Sequence, residues 1–461
     1  MTKLQKEQSF YKTLLRVALP TAGANLLQNA VGLADTLMVG TLGDSAVAAV
    51  AGANRVFFIF SLLLFGLVSG GSVLAAQYWG RRDTAAVARV AGIVLRFGML
   101  SGVLFSIAAF AFPRVLLSAF SADPEVIALG AGYLRIIAVT FLTCAFSTAY
   151  ATFLRSVEKA GLWMAVQGVA FFANIGFNSI FIFGLLGAPA MGVNGAALGT
   201  LLSRLLECVV VFVYARFFNK EFRLRPGDIL HTDKALLRDF LRYAGVVVVN
   251  ELVWGLGNSM HSVIMGHMST QALTASSVAA TIQGMVTVAF FGLASGAAVV
   301  VGKSIGQNQF DAAKRQCKAV TLLALGVGVA CAGLLLLARA FLVGAAVDLG
   351  LFRLSPGALG LIRQIMLLHV CLLPVISCNC TLIVGILRSG GDTKVSAFLD
   401  TGFMWLISLP AAALAAFVFH IPPIWVMMLL YCEELLKCAF AAWRMLRWKW
   451  MRNVTREGIS S

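Results

Sequence analysis

Phe65-Gly66-Leu67-Val68-Ser69-Gly70 returns as Phe291-Gly292-Leu293-Ala294-Ser295-Gly296, 226 residues further along the chain. The register holds outside this stretch. At the same shift and without gaps, Gly40 falls on Gly266, Ala46 on Ala272, Ala49 on Ala275, Val73 on Val299, Gly80 on Gly306 and Arg89 on Arg315. Leu154-Arg155-Ser156 echoes Leu387-Arg388-Ser389 at a slightly longer shift. The sequence therefore reads as a tandem duplication, and the nature of one half decides the nature of both.

Of 461 residues, 60% are hydrophobic and 12% charged, against about 25% charged in soluble domains. Too few ionic groups are present to cover a globular surface in water, which excludes a soluble enzyme, a transcription factor and a disordered scaffold. Twelve apolar segments lie near 14–38, 48–78, 87–112, 126–152, 162–186, 191–217, 240–266, 272–302, 316–341, 359–386, 396–419 and 424–446. Each is long enough to cross a bilayer, which takes about 20 residues as a helix. Breaks between them carry Gly, Pro or charge, as at Arg81-Arg82-Asp83, Asp123-Pro124, Lys159, Pro189, Pro226-Gly227, Asp348, Pro356 and Pro422-Pro423. The expected fold is an all-α integral membrane protein, with twelve transmembrane helices in two pseudo-symmetric six-helix bundles. Residues 1–218 form the N-lobe, 219–239 a cytoplasmic linker, and 240–461 the C-lobe with a basic cytoplasmic tail.

The net charge of +16 does not point to nucleic acid, because the basic residues sit in small groups between apolar runs. Lys3, Lys6, Lys12 and Arg16 precede the first span, and Arg81, Arg82, Arg155 and Lys159 follow even-numbered ones. Seven basic residues run from Arg216 to Arg242, and Lys303, Lys314, Arg315, Lys318, Arg388, Lys394 and the tail continue the pattern. If the spans alternate, all of these fall on one side, and few, such as Arg114 and Arg353, fall on the other. The positive-inside rule then puts both termini in the cytoplasm. Six spans per repeat is an even number, so the repeats share one orientation and are expected to be related by an axis along the membrane normal. That arrangement suits alternating access around a site near mid-membrane between the lobes. The polar start and the absence of a cleavage signature predict no removed signal peptide. Nine cysteines, mostly inside apolar segments, predict neither a disulfide nor a zinc site. No phosphate-binding Gly loop is present, so ATP hydrolysis is not the expected drive.

Charge inside hydrocarbon is costly and marks function by default. Asp35 lies 19 residues beyond Arg16, about 28 Å along the first span; Asn174 and Asn178 lie 15 and 19 residues beyond Lys159, about 22 and 28 Å along the fifth. All three reach one depth. Asn174 and Asn178, four apart, share a helix face. A carboxylate with two amides at one level suits a proton network or a small hard cation such as Na+; interhelical hydrogen bonding is the other reading. Glu251 and Asp400 form a second acidic layer, about 13 and 9 Å along the seventh and eleventh spans. Asp400 either serves the site or pairs with a cation such as Lys394. Glu251 falls on Asn25 under the shift, and His261 falls on Asp35, which marks His261 as a proton-handling candidate. Asn25, Asn29 and Arg55 are candidates for a polar cavity. Glu207 is expected to pair with Arg204, and Glu433 with Lys437. Pro20 can bend the first span.

The residues then show a resemblance. Ala18-Leu19-Pro20, Asp35 to Gly43 (DTLMVGTLG), Ala48-Ala49-Val50 and Ala75 to Gly80 (AAQYWG) are similar to the opening of the MATE family of multidrug and toxic compound extrusion transporters. Asn174 to Gly184 (NIGFNSIFIFG), Met191 to Ala197 (MGVNGAA) and Gly385 to Lys394 (GILRSGGDTK) resemble later parts of it. The resemblance covers nearly the whole chain and implies antiport of organic cations or amphipathic drugs against Na+ or H+ in a bacterial inner membrane, with no cofactor and a monomeric state. It implies that Asp35, Asn174 and Asn178 are the N-lobe ion-coupling site, with Asn194 beside it, and that Glu251 is the span-seven acid of one branch. The span-ten acid of that branch falls near Ser377, and Asp400 is the expected substitute. The rival reading is a flippase for a lipid-linked glycan or another anionic lipid, with Arg55, Arg96 and Arg135 holding the headgroup.

Overall fold

The structure, a computed structural model, describes residues 3–219, 227, 233–348 and 356–456. Most of the expected linker, with Pro226, as well as Arg353 and the side chains of Asp348 and Pro356, lies outside the described residues. The helices are α1 (Lys3–Gly40), α2 (Asp44–Gly80), α3 (Thr84–Ala111), α4 (Pro113–Ser118), α5 (Pro124–Ile137), α6 (Thr140–Ser156), α7 (Ala160–Phe183) and α8 (Val193–Val213). They continue with α9 (Lys234–Met268), α10 (Thr270–Gly306), α11 (Phe310–Asp348), α12 (Pro356–Cys380), α13 (Thr393–Phe417), α14 (Pro423–Tyr431) and α15 (Glu433–Leu446). No strand occurs among the described residues. The protein is an all-α integral membrane protein.

Every expected apolar segment falls on these helices. Nine helices among the described residues are long and apolar enough to cross a membrane, and α5 with α6, bent by 50°, makes a tenth. Of the two remaining segments, α1 is diluted by Asn25, Gln28, Asn29 and Asp35, and the last is broken at Cys432 into α14 of 9 residues and α15 of 14. The bend between α5 and α6 frees backbone groups inside the apolar region, where each must find a partner. Ser106 Oγ donates to the Ala138 carbonyl at 2.7 Å and satisfies one of them.

Polar residues between spans stop and start the helices as their chemistry dictates. Asp83 accepts from the Ala86 amide at 2.9 Å and caps α3; Ser269 accepts from the Ala272 amide at 3.0 Å and caps α10. Arg82 and Asn308 take left-handed conformations, with φ of 61° and 59°. They too are 226 positions apart, so the duplication extends to the turn geometry.

The chain divides into two compact units, Gly23–Val248 with Arg456–Ser461, and Met1–Ala22 with Val249–Thr455. The start of α1 belongs to the unit that holds the second half of the sequence, and the start of α9 to the unit that holds the first. Glycines provide the close approaches. In the N-terminal unit, a Cβ on Gly66 or Gly70 of α2 would overlap the backbone of Val248 or Ala244 on α9. In the C-terminal unit, a Cβ on Gly292 or Gly296 of α10 would crowd the backbone of α1 at Ala18 and Leu14. The repeated Gly-x-x-x-Gly stretches that reveal the duplication are thus contact stripes on which a small residue lets two helix backbones meet.

Each unit has its own apolar interior. In the N-terminal unit Phe60, Phe105 and Phe141 stack around one another with centroids 5.1–5.8 Å apart. The C-terminal unit packs Met265, Ala279, Leu335, Met366 and Leu430 into a buried cluster. The tail beyond α15 folds back: Trp450 is fully buried against Gly390, and Arg452 donates its amide to the Gly390 carbonyl at 3.2 Å.

Candidate functional site

In the N-terminal unit, Asp35 lies five residues before the end of α1, and Asn174 and Asn178 project from one face of α7. The side-chain amide of Asn178 donates to Asp35 Oδ1 at 2.5 Å and to Asn174 Oδ1 at 3.2 Å, which uses both of its hydrogens. Asn174 in turn donates to Ser203 Oγ on α8 at 3.5 Å. Asn174 is 1% exposed and Asn178 fully buried, while Asp35 is half-buried. The three residues therefore lie at one level and form one hydrogen-bonded cluster. One oxygen at this cluster, Asn178 Oδ1, is buried with no hydrogen-bond partner among the described residues. An unsatisfied buried acceptor beside a carboxylate suits a proton or a hard cation with oxygen ligands.

Backbone shape makes room for this. Asn178 lies against α8 at Gly199, where a Cβ would overlap Asn178 Oδ1 and the Asn178 backbone. Gly199→Ala is therefore expected to push Asn178 off Asp35. The overpacking itself costs about 1–3 kcal/mol. The measurement is a thermal melt paired with ion-dependent transport, and transport is expected to fall by more than the melt explains. Five residues beyond Gly199, Arg204 pairs with Glu207 at 2.8 Å, as expected, and its positive charge also acts on Asp35.

Other residues stand apart. Asn194 is exposed, and its Oδ1 lies over Gly132 on α5 rather than on Asp35. Asn25 is half-buried and Asn29 exposed on α1. Arg55 lines a cleft of about 350 Å3 with Thr36, Asn54 and Phe58.

The C-terminal unit holds a group that the reading of basic loops had placed differently. Arg388, counted above among the cytoplasmic cations, is 2% exposed and interior. Its Nη1 donates to Glu251 Oε1 at 2.8 Å and its Nη2 to Asp400 Oδ2 at 3.2 Å. Asn250 adds a donor to Asp400 Oδ2 at 2.8 Å. Asp400 thus pairs with Arg388 rather than Lys394. The two acids, 149 residues apart in the chain, meet through one guanidinium, whose fork geometry suits two carboxylates. Wide, π-helical turns place both ends of this bridge. Arg388 follows the π segment Thr381–Leu387, and Asp400 sits within Phe398–Gly402; such turns recur at functional sites. His261 does not join this group. Its ring lies 5.9 Å from that of Tyr431, which also touches the buried His369 at 5.1 Å. Glu433 accepts from Lys437 at 2.9 Å, as expected.

Sequence reasoning missed Arg388, Asn250, Ser203 and His369. One signal was available for Arg388: Glu251 and Asp400 both need a counter-charge inside the membrane, and Arg388 is the cation that ends the span between them.

Duplicated helical halves, helices long and apolar enough to cross a membrane and ionisable clusters on such helices in each unit point to a multi-pass membrane transporter. Known proteins name the family. The sequence profile of the MatE family matches residues 20–180 and 246–414. The chain belongs to the MatE family of transporters, and it is not an enzyme. It is 26% identical over 386 residues to an uncharacterized transporter YisQ of Bacillus subtilis, covering 83% of each chain. It is 27% identical over 411 residues to a probable multidrug resistance protein NorM of Bradyrhizobium diazoefficiens, covering 87% of this chain and 86% of that one. Its fold matches a crystal structure of a MATE protein in complex with MaL6, with a TM-score of 0.84 at 20% identity over 95% of this chain and 97% of the other.

Proposed function

We propose that this transporter is a secondary active antiporter, exporting amphipathic or cationic drugs or metabolites in exchange for Na+ or H+ by alternating access. The observation that carries the reading is the Asp35–Asn178–Asn174 cluster: a carboxylate in a membrane helix, hydrogen-bonded on one side and next to an unsatisfied amide oxygen. An ion at this cluster favours one conformation and the substrate another. Coupling follows only from that difference, and it acts in both directions. Asn194, Asn25, Asn29 and Arg55, which stand apart from the cluster, serve as polar contacts for the substrate. Glu251, Asp400 and His261 serve the C-terminal unit. The chain works as a monomer in the inner membrane of a bacterium, with both termini in the cytoplasm, as its basic residues favour.

The test is dye efflux from proteoliposomes under an imposed Na+ gradient and, separately, a pH gradient. Uphill efflux driven by one of them is the expected result and names the coupling ion. No efflux under either, from folded protein, overturns the antiporter. Arg55 at its cleft is the feature that favours an anionic lipid headgroup instead, and a lipid-flipping assay on the same vesicles separates that reading.

A further inference from the structure

The start of α15 holds a polar cluster that the coupling site does not use. Lys437 Nζ lies 2.9 Å from Glu433 Oε1 and 3.6 Å from Glu434 Oε1. From α12, Asn379 Nδ2 donates to Glu434 Oε2 and to the Glu434 carbonyl, both at 2.7 Å. Glu433 and Lys437 are each 2% exposed and Asn379 is 4% exposed. Two acceptors in this compartment, Glu433 Oε2 and Asn379 Oδ1, are buried with no hydrogen-bond partner among the described residues.

Charge balance gives the cluster its chemistry. One ammonium cannot neutralise two carboxylates, and a third, Asp400, also acts on both Glu433 and Lys437. Asp400 brings with it Glu251 and Arg388. The connected set then has four carboxylates, at 251, 400, 433 and 434, against two cations, at 388 and 437. Tyr431 and the thiols of Cys380 and Cys438 also border these carboxylates, and past Tyr431 lie His261, on which Lys437 acts, and His369, whose two ring nitrogens have no partner among the described residues. Neither histidine adds a fixed positive charge while neutral. An excess of negative charge in a low-dielectric interior is expensive and draws in positive charge.

The occupant can be argued from the donors. Na+ needs several oxygens converging at once, and the free buried oxygens here are two, Glu433 Oε2 and Asn379 Oδ1. A proton needs one free acceptor. Glu434 Oε2 already accepts from the Asn379 amide, and Glu434 is the more exposed of the pair. Glu433 has the free oxygen and the deeper burial. We propose that Glu433 is a second proton-binding site of the transporter, inside the C-terminal unit and separate from Asp35. Uptake from water forms an O–H bond at Glu433 Oε2 and removes one excess negative charge, while Lys437 stays paired with Glu434. The site's place in transport rests on the antiporter reading above; its occupancy by a proton does not.

The test is pH-difference infrared spectroscopy on the full-length protein in detergent, read in the carbonyl-stretching region of protonated carboxylic acids. In the Asp35→Asn background a protonation band is expected to remain. The Asp35→Asn/Glu433→Gln protein is expected to lose it, and Glu433→Asp to keep it at a shifted frequency, which guards against a loss caused by misfolding. A band that survives Glu433→Gln, or none at all in Asp35→Asn, overturns the proposal, as does its removal by Na+ at constant pH. Efflux assays on the same proteins keep the two readings apart. If no gradient drives efflux in the wild type and the band still depends on Glu433, the antiporter fails and the proton site stands.

Discussion

Asp35→Asn protein is expected to fold and to bind its substrate, but to lose gradient-driven export. The change keeps the size of the side chain and leaves an oxygen for Asn178 to donate to, so the packing of α1 against α7 has no reason to fail. The negative charge disappears, and with it the difference in ion affinity between conformations. Coupling free energies of about 1–3 kcal/mol correspond to about 5–150-fold changes in affinity, and an exporter without that term equilibrates its substrate instead of concentrating it. The readout is the ratio of dye inside to outside vesicles at steady state under each gradient. In the mutant this ratio is expected to settle near one, with binding of dye to detergent-solubilised protein unchanged. Uphill efflux by Asp35→Asn would falsify the assignment of the coupling site.

Arg388→Met is expected to give the largest loss of stability. Arg388 sits between Glu251 and Asp400 at 2.8 and 3.2 Å and is almost wholly enclosed. Removing it leaves two carboxylates facing each other without their counter-charge. Breaking a buried ion pair by deleting one partner costs about 3–5 kcal/mol, and here a single deletion orphans two acids. The control is Arg388→Met with Glu251→Gln and Asp400→Asn, which removes the charges together. The triple mutant is expected to recover most of the lost stability, because a neutral, hydrogen-bonded set carries no comparable desolvation cost. Thermal melts in detergent measure both. If the triple mutant melts no higher than Arg388→Met, the guanidinium acts through packing and not through charge.

The sites differ in how far they could be read from the residues alone. Asp35, Asn174 and Asn178 were legible because all three sit on long helices with a charged residue near one end, and 1.5 Å per residue converts sequence distance into depth. Asn194 was placed by its motif, and motif adjacency says nothing about which way a side chain points; it faces Gly132. Arg388 was misread for a physical reason. The positive-inside rule treats a cation at the end of a span as a loop cation, and only the meeting of three separate helices shows that this one turns inward. His369 carries no sequence signal of its own. Its two unsatisfied nitrogens have meaning only with Tyr431 beside it. The helices themselves were legible throughout, because apolar length is a local property. The bend between α5 and α6 was not, since neither Pro nor Gly marks residues 138 and 139.

The exchange of helix starts between the two units has a consequence for how the protein is made. A ribosome delivers residues 1–22 first, yet the unit they pack into is completed only when Thr455 has been synthesised. The other unit waits for Val248, well past its own last span, and then for Arg456, which pairs with Asp239. Neither half can therefore finish folding as it emerges, and the early segment of α1 must be held in the bilayer, or by a chaperone, until its partners arrive. Separately expressed halves cut within residues 220–232 would each carry one helix start that belongs to the other, so they are expected to assemble only when produced together.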